Sequence, residues 1–169
     1  HKEIEDIIVL KNNKGTEDNR VRKLDYSIQL SKLFYERFIN DEDITLFSPH
    51  EVPELYESWG TPEFDDLYLT AERKTSVSKK KVSAQTLFFD MLKERAETGR
   101  IYIMNIDHCN THSSFKDRIY MSNLCQEITL PTDPIQHIDG QGEIALCILS
   151  AINVGKLSYL EDLESLCDL

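Results

Sequence analysis

The sequence has little positive charge and no long apolar run. Its 19 lysine and arginine residues stand against 30 aspartate and glutamate residues, which gives a formal net charge of −11. Because an acidic surface repels phosphate backbones, this balance argues against binding to DNA or RNA. No apolar stretch approaches the roughly 18 residues of a membrane-spanning helix, so the sequence predicts no membrane segment.

The chain also lacks the cysteine pattern of a small secreted protein. It has four cysteines, Cys109, Cys125, Cys147 and Cys167, at irregular spacings in a chain of 169 residues. This usage fits reduced thiols and therefore predicts a cytoplasmic location. The length suits one domain with one core. Because the sequence begins with His1 rather than Met and ends inside a helical pattern, we expect residues 1–169 to be an internal segment of a longer protein, truncated at both ends.

Strand and helix patterns alternate along most of the chain. The strand patterns cover residues 24–30, 44–47 and 101–106, and the helix patterns cover residues 4–10, 31–39, 51–56, 64–68 and 83–98. Ser83 is expected to cap the last of these helices and Gly99 to end it. The basic run at residues 75–81 is typical of a solvated loop or a helix start. These alternating patterns predict an α/β architecture, and they leave open whether the sheet is open or closed into a barrel.

Two further patterns lie near the end of the chain. Residues 144–149 form a continuous apolar run, which is typical of a strand covered on both faces, as in a parallel sheet. Ser158 and Glu161 have the spacing of a capping box, so a helix is expected to begin there.

One stretch combines three chemically useful side chains. If residues 121–130 are extended, Asn123, Cys125 and Glu127 point to one side, roughly 6–7 Å apart from one to the next. A molecule the size of a sugar could then contact the amide, the thiol and the carboxylate together. The alternative is structural, because a lone cysteine is more often a small buried hydrophobic residue.

A second cluster, formed by His108, Cys109 and His112, invites a metal-binding hypothesis. A structural zinc site normally needs four ligands, and the sequence has no second cluster of cysteine or histidine to supply the fourth. We therefore predict no metal here and favour packing near a substrate site, at the end of the preceding strand.

Several longer motifs follow one another in a recognisable order. They are Leu-Lys-Asn-Asn-x-Gly at 10–15, Asn-Arg-Val-Arg at 19–22, Asp-Ile-Thr-Leu-Phe-Ser-Pro-His at 43–50, Asp-His-Cys-Asn-Thr-His at 107–112, Ser-Asn-Leu-Cys-Gln-Glu-Ile at 122–128, Gly-Glu-Ile-Ala-Leu-Cys at 142–147 and Leu-Ser-Ala-Ile-Asn-Val-Gly at 149–155. Over nearly its whole length the chain resembles the catalytic (large, alpha) subunit of class I ribonucleotide reductase. The resemblance implies an internal part of a ten-stranded α/β barrel, with Cys125 on a central loop. Asn123, Cys125 and Glu127 could then lie on a tight loop rather than on a regular strand.

The resemblance also implies roles for several residues within 119–130, which we call the reactive stretch. Cys125 would become the thiyl radical that takes the 3′ hydrogen of the substrate, and Glu127 would be the general base for the 3′ hydroxyl. Asn123 would hold the substrate hydroxyls. Backbone groups near Ser122 and Leu124 would contribute to substrate binding.

The same resemblance implies the partners of the reaction. Cys147 would be one half of a dithiol that supplies two electrons and closes to a disulfide, and its partner cysteine lies outside this chain. Thioredoxin or glutaredoxin would be the external reductant, and the substrate would be a ribonucleoside diphosphate. A small radical-generating subunit and a second large subunit would complete the enzyme. No cofactor is expected in this segment, and the sites for ATP and deoxynucleotide effectors are expected mainly outside it.

Two other functions remain open from the residues alone. A non-radical thiol enzyme could use Cys125 or Cys147 as a nucleophile, but it would need a histidine or a helix N-terminus to lower the thiol pKa. No such group adjoins either cysteine in the sequence. Alternatively, the segment could be purely structural. The radical hypothesis predicts that Asn123, Cys125 and Glu127 share one cavity, with Cys147 on its wall.

Overall fold

The computed structural model describes residues 1–12, 14, 16–21, 23–159 and 161–168. Of the motif residues named above, those at positions 13, 15 and 22 lie outside this range. The helices are α1 Ile4–Ile8, α2 Lys32–Ile39, α3 Pro53–Glu57, α4 Phe64–Arg73, α5 Ala84–Thr98, α6 Ile106–Thr111 and α7 Asp162–Cys167, with 3-10 turns at Glu17–Asn19 and Val154–Lys156. The strands are β1 Ser27–Leu30, β2 Asp43–Phe47, β3 Lys79–Ser83 and β4 Tyr102–Asn105.

The helix ends follow the local signals of the sequence. Ser31 precedes α2, and its hydroxyl oxygen accepts the backbone N–H of Phe34. Ser83 does the same for α5 through the N–H of Thr86. Gly99 ends α5 with a φ of +67°, a conformation that costs a residue without Cβ very little. The predicted cap and the predicted end of α5 are therefore both confirmed.

Four strands form two separate pairs. β1 and β4 are parallel, from Ser27 beside Tyr102 to Leu30 beside Asn105, and β2 and β3 are antiparallel. The chain between β1 and β4 carries the other pair and four helices, so the parallel pair is joined by a long crossover. The α/β architecture predicted from the sequence is confirmed.

The basic run was assigned wrongly, because β3 begins inside it. Lys79, Lys80 and Lys81 lie opposite apolar β2, with Lys80 beside Leu46. The ammonium groups reach partners away from the sheet. Lys80 forms an ion pair with Glu5, and Nζ of Lys79 donates to the carbonyl oxygen of Lys74 at 2.8 Å. A long aliphatic stem allows lysine to cover a strand while its charge stays in water or at a helix end.

The core lies between the strand pairs and helices α1 to α5. A smaller second cluster joins Met104, Ile106 and Ile119, with Trp59 and Cys109 packed against it. Ile106 and Ile119 are fully buried, which fixes the chain on both sides of α6. The second cluster therefore connects the end of β4 to the reactive stretch that follows.

The strand predicted at residues 144–149 is wrong for the structure. Ile144, Leu146 and Ile148 are 70%, 82% and 96% exposed. From residue 120 onward, the described residues contain no strand beyond an isolated bridge between Asp133 and Glu143. A strand covered on both faces requires neighbouring strands and a layer on each side, and none lies beside this segment in the described part of the chain.

The last helix also begins later than the capping-box pattern predicts. α7 starts at Asp162, with Glu161 rather than Ser158 at the cap, and no side chain caps it. Its packing is slight, since most of its described residues are exposed. Among the described helices, none combines the length and the apolar character needed to cross a membrane.

Candidate functional site

The reactive stretch begins at Ile119, whose backbone forms two hydrogen bonds with the side chain of Asn110. The side-chain amide of Asn110 donates to the carbonyl oxygen of Ile119 at 3.0 Å, and its Oδ1 accepts the N–H of Ile119 at 2.9 Å. These two bonds imitate the pairing of neighbouring strands. Asn110 lies on α6, so one role of the motif at 107–112 is to fix the start of the reactive stretch.

Residues 57–60, which precede α4, also hold the backbone at the start of the reactive stretch. Gly60 has a φ of +77°, and a Cβ there would lie 2.6 Å from Cγ1 of Ile106 and 2.9 Å from Nδ2 of Asn110. Only glycine fits this approach. Arg118 donates to the carbonyl oxygen of Glu57 at 2.5 Å and also to that of Trp59. The backbone before the reactive stretch is thus fixed by both α6 and residues 57–60.

The polar face of β1 contacts the stretch at two places. Ser27 and Gln29 are two residues apart in a strand and therefore point to the same side. Nε2 of Gln29 donates to the carbonyl oxygen of Tyr120 at 3.0 Å, and Nε2 of Gln126 donates to Oγ of Ser27 at 2.8 Å. Nε1 of Trp59 donates to Oε1 of Gln29 at 2.6 Å, which orients that amide.

Between these contacts the chain forms a turn, so the extended arrangement expected for residues 121–130 is wrong. The N–H of Gln126 donates to the carbonyl oxygen of Asn123 at 3.1 Å, and Gln126 has a φ of +65°. A residue with positive φ reverses the chain, which the regular alternation of a strand does not allow. The structure instead has a tight turn, which is the alternative to a regular strand that the family resemblance left open.

The turn brings together two of the three predicted catalytic side chains. Nδ2 of Asn123 donates to Oε1 of Glu127 at 2.7 Å. Oδ1 of Asn123 accepts the N–H of Ile128 at 3.1 Å and lies 3.0 Å from the hydroxyl of Ser122. These contacts fix both ends of the amide, so its N–H groups face the carboxylate. Cys125 lies between the pair in sequence and is exposed.

A cavity of about 580 Å³ lies beside this turn, but it does not contain the predicted set. Four residues of the reactive stretch line it, namely Tyr120, Met121, Ser122 and Gln126, together with apolar side chains of the core. Asn123, Cys125, Glu127 and Cys147 are absent from its lining. This cavity therefore does not bring the four predicted side chains together.

The other predicted site residues are Ser122 and Leu124, which lie in the turn, and Cys147. Leu124 is 43% exposed, and Ser122 is half-buried. Cys147 is exposed and carries a free thiol. Cys109 is half-buried, and this burial raises the pKa of its thiol above the usual range.

The motif at residues 107–112 has a structural explanation in this fold. Oδ2 of Asp107 accepts the backbone N–H of Lys32 at 2.5 Å, which ties α6 to the first turn of α2. The rings of His108 and His112 pack edge to face with their centres 5.5 Å apart. Among the described residues, no group of three or more histidine, cysteine, aspartate or glutamate side chains is placed to hold a metal ion.

Several supporting residues were missed by sequence reasoning. The strand pattern at residues 24–30 puts Ser27 and Gln29 on its polar face, but it contains no sign of what that face contacts. In an extended chain Gln126 would point away from Asn123, Cys125 and Glu127, so sequence reasoning gives it no role. Asn110 and Gly60 carry no local signal, because their partners come from other parts of the chain.

Comparison with known proteins gives one consistent result. Residues 1–168 match the family model described as "Ribonucleotide reductase, barrel domain". The ribonucleoside-diphosphate reductase subunit alpha of Haemophilus influenzae is 53% identical over 167 residues, which cover 95% of this chain and 22% of that protein. The corresponding subunit of Escherichia coli, ribonucleoside-diphosphate reductase 1 subunit alpha, is 53% identical over 140 residues, with 80% and 18% covered. The alpha subunit of bacteriophage T4 is 46% identical over 165 residues, with 94% and 22% covered. The chain spans about a fifth of the length of these relatives.

Proposed function

Because this chain belongs to the ribonucleotide reductase barrel-domain family and forms part of that barrel, we propose that it is a segment of the large subunit of a ribonucleoside-diphosphate reductase. The complete enzyme would convert ribonucleoside diphosphates to deoxyribonucleoside diphosphates for DNA synthesis. The observation that carries the proposal is the 2.7 Å hydrogen bond between Asn123 and Glu127 on a turn that exposes Cys125.

In the proposed reaction Cys125 acts first, as a thiyl radical. Its sulfur takes the hydrogen atom from C3′ of the ribose, and the 2′ hydroxyl of the resulting carbon radical leaves as water with a proton that the dithiol including Cys147 would donate. The hydrogen atom returns to C3′ at the end of the reaction, which restores the thiyl radical on Cys125. Glu127 accepts the proton of the 3′ hydroxyl, a general-base role that requires a carboxylate held in a defined direction. The hydrogen bond from Asn123 gives Glu127 that direction, and the Asn123 amide also binds the substrate hydroxyls. Backbone groups at Ser122 and Leu124 complete the substrate contacts.

Two electrons are needed for each hydroxyl that is lost, and Cys147 would supply them with a second cysteine outside this chain. The dithiol is oxidised to a disulfide as the ribose is reduced. Thioredoxin or glutaredoxin would then reduce the disulfide. The exposed, free thiol of Cys147 is compatible with this exchange.

We also propose the assembly that this chemistry requires. A small subunit would generate the radical, and a second large subunit would complete a dimer. ATP and deoxynucleotide effectors would bind mainly outside this segment. The acidic composition and the four free thiols support a cytoplasmic enzyme that does not bind nucleic acid.

The thiol-nucleophile alternative finds no support in the described contacts. A nucleophilic cysteine needs a neighbouring base or cation to lower its pKa. Within the described residues, neither Cys125 nor Cys147 has a hydrogen bond to a histidine. The structural alternative applies to this segment in isolation, which we expect to be inactive because the second redox cysteine is missing.

The test uses the complete large subunit assembled with its small subunit. We expect Cys125→Ser to abolish formation of the deoxy product, because serine cannot form the thiyl radical. We expect Cys147→Ser to block multiple turnovers under a dithiol reductant. Cys167→Ser is the matched control and should retain activity within about twofold, since surface substitutions usually have small effects. Substantial multiple-turnover activity in Cys125→Ser would refute the assignment of the radical.

The base assignment has its own test in the same assay. Glu127→Gln keeps the shape of the side chain but cannot accept the proton. We expect it to lower kcat by roughly 10²- to 10⁴-fold, the usual contribution of a general base. An activity near that of the wild type would remove Glu127 from the mechanism.

A further inference from the structure

We propose that Gln126 is a positioning residue, whose contact with Ser27 of β1 holds Cys125 and Glu127 in their reactive arrangement. This inference rests on the proposed function and adds two residues to it. Gln126 lies between Cys125 and Glu127 in the sequence, so the direction of its backbone decides where both neighbours point.

The first observation is the backbone of Gln126. Its φ of +65° lies in the left-handed region, which is unfavourable for a residue with a Cβ. Such a conformation persists only when surrounding contacts hold it. Glycine would adopt it freely but would offer no side chain for those contacts.

The second observation is what the side chain of Gln126 does. Its Nε2 donates to Oγ of Ser27 at 2.8 Å and to the carbonyl oxygen of Asn123 at 2.6 Å. One amide therefore connects the two ends of the turn to each other and the whole turn to β1. Because the side chain reaches inward to the strand, Cys125 and Glu127 are left on the exposed side of the turn.

The third observation is how the strand that Gln126 contacts is itself held. β1 pairs with β4 along its whole length. Both ends of the polar face of β1 contact the reactive stretch. Gln29 holds Tyr120 just before the turn, and Ser27 holds Gln126 within it. A reactive atom displaced by about 1 Å can lose about a hundredfold in rate, so a fixed base for the turn affects the chemical step directly.

The experiment measures kcat and KM for a ribonucleoside diphosphate with the complete large subunit and its small subunit. We expect Gln126→Leu to lower kcat by roughly 10- to 100-fold and to leave KM within about twofold. Gln85→Leu is the matched control. Gln85 lies on α5, far from the turn in sequence. Its replacement removes a similar bond, from Nε2 to the carbonyl oxygen of Phe38 at 3.1 Å. It should keep kcat within about twofold.

A second pair of variants tests the contact from the side of β1. Ser27→Ala removes the acceptor and should lower kcat by roughly fivefold, whereas Ser27→Thr keeps the hydroxyl and should restore it. If the two side chains act together, the double variant Ser27→Ala with Gln126→Leu should be no slower than Gln126→Leu alone. Should Gln126→Leu fail to assemble, the difference between Ser27→Ala and Ser27→Thr decides the question.

The proposal is overturned if Gln126→Leu turns over within twofold of the wild type, if the loss lies wholly in KM, or if the two Ser27 variants lose equal activity. Cys125→Ser in the same assay separates this result from a failure of the proposed function. An inactive Cys125→Ser beside a fully active Gln126→Leu would refute only the positioning role. An active Cys125→Ser would refute the function on which that role depends.

Discussion

Residues 1–119 and residues 120–168 differ in whether they bury their apolar side chains. We call them the packed region and the open region. Among the described residues, every buried hydrophobic side chain lies between Ile8 and Ile119. The open region instead exposes large side chains, with Ile138 at 101% and Ile148 at 96%. The comparison shows that an apolar run becomes a strand only where another strand is available to pair with it.

The proposed catalytic residues lie at the boundary between the two regions. Asn123, Cys125 and Glu127 follow the last buried residue, Ile119, by only a few positions. Asn110 and β1, which belong to the packed region, therefore hold the turn that carries them. Cys125 and Glu127 remain exposed to solvent. Because the chain spans about a fifth of its relatives' length, we propose that further parts of the barrel cover the open region in the complete subunit.

The largest expected effect comes from truncating one isoleucine in each region. Ile106→Ala removes a fully buried side chain, and we expect it to reduce the free energy of unfolding by about 2–5 kcal/mol. Ile148→Ala alters a side chain that is 96% exposed and should change it by less than about 0.5 kcal/mol. Urea denaturation of the 169-residue chain measures both. Equal losses would show that the open region packs in solution.

A smaller effect is expected at two glycines of the packed region. Gly60→Ala and Gly99→Ala both place a Cβ on a residue with positive φ, at a cost of roughly 1–2 kcal/mol. At Gly60 the new Cβ also meets Ile106 and Asn110, whereas nothing lies within 4 Å at Gly99. We therefore expect Gly60→Ala to lose about 1–3 kcal/mol more stability than Gly99→Ala in the same denaturation assay.

The Gly60 result also bears on the boundary. Asn110 holds Ile119, so a Cβ at position 60 that displaces Asn110 should loosen the start of the reactive stretch. In the complete enzyme we expect Gly60→Ala to lower kcat as well, while Gly99→Ala does not. Similar stability and activity in the two variants would mean that the close approach at Gly60 does not support the site.

The smallest effect compares two serines at predicted helix starts. Ser83 caps α5 through the N–H of Thr86, so Ser83→Ala should destabilise the chain by about 1 kcal/mol. Ser158 makes no such cap on α7, and Ser158→Ala should leave the stability unchanged within error. Thermal unfolding of the two variants measures the difference. A loss in Ser158→Ala equal to that in Ser83→Ala would show that the capping box forms in solution.

Local patterns predicted the fold best where the signals were themselves local. Ser31, Ser83 and Gly99 act on residues within one helical turn, and the helices that they bound were found as expected. β3 was missed because three lysines in succession resemble a solvated loop, and only pairing with β2 makes them a strand. The strand at 144–149 was expected for the opposite reason. Its apolar composition is typical of a strand between two neighbouring strands, and the described residues contain no strand beside it.

The candidate site shows the same division. The order Asn-x-Cys-x-Glu identified the chemical groups, but an extended chain would have kept Asn123 and Glu127 apart. The turn at Gln126 brings them to 2.7 Å. The alternation of residues 121–130 does not predict that turn, and one of the two bonds from the Gln126 side chain goes to the distant Ser27.

The sequence by itself therefore determined helices such as α2 and α5, the cap and the end of α5, the α/β class and, through the order of its motifs, the family. Capping is an interaction between near neighbours, and helical periodicity is a pattern within a few turns, so both can be recognised without knowledge of the tertiary structure. The tertiary structure alone decided that Gln126 meets Ser27, 99 positions away, and that Asn110 holds Ile119. A hydrogen bond between distant residues depends on the path of the whole chain, and that path is set by which strands find a partner.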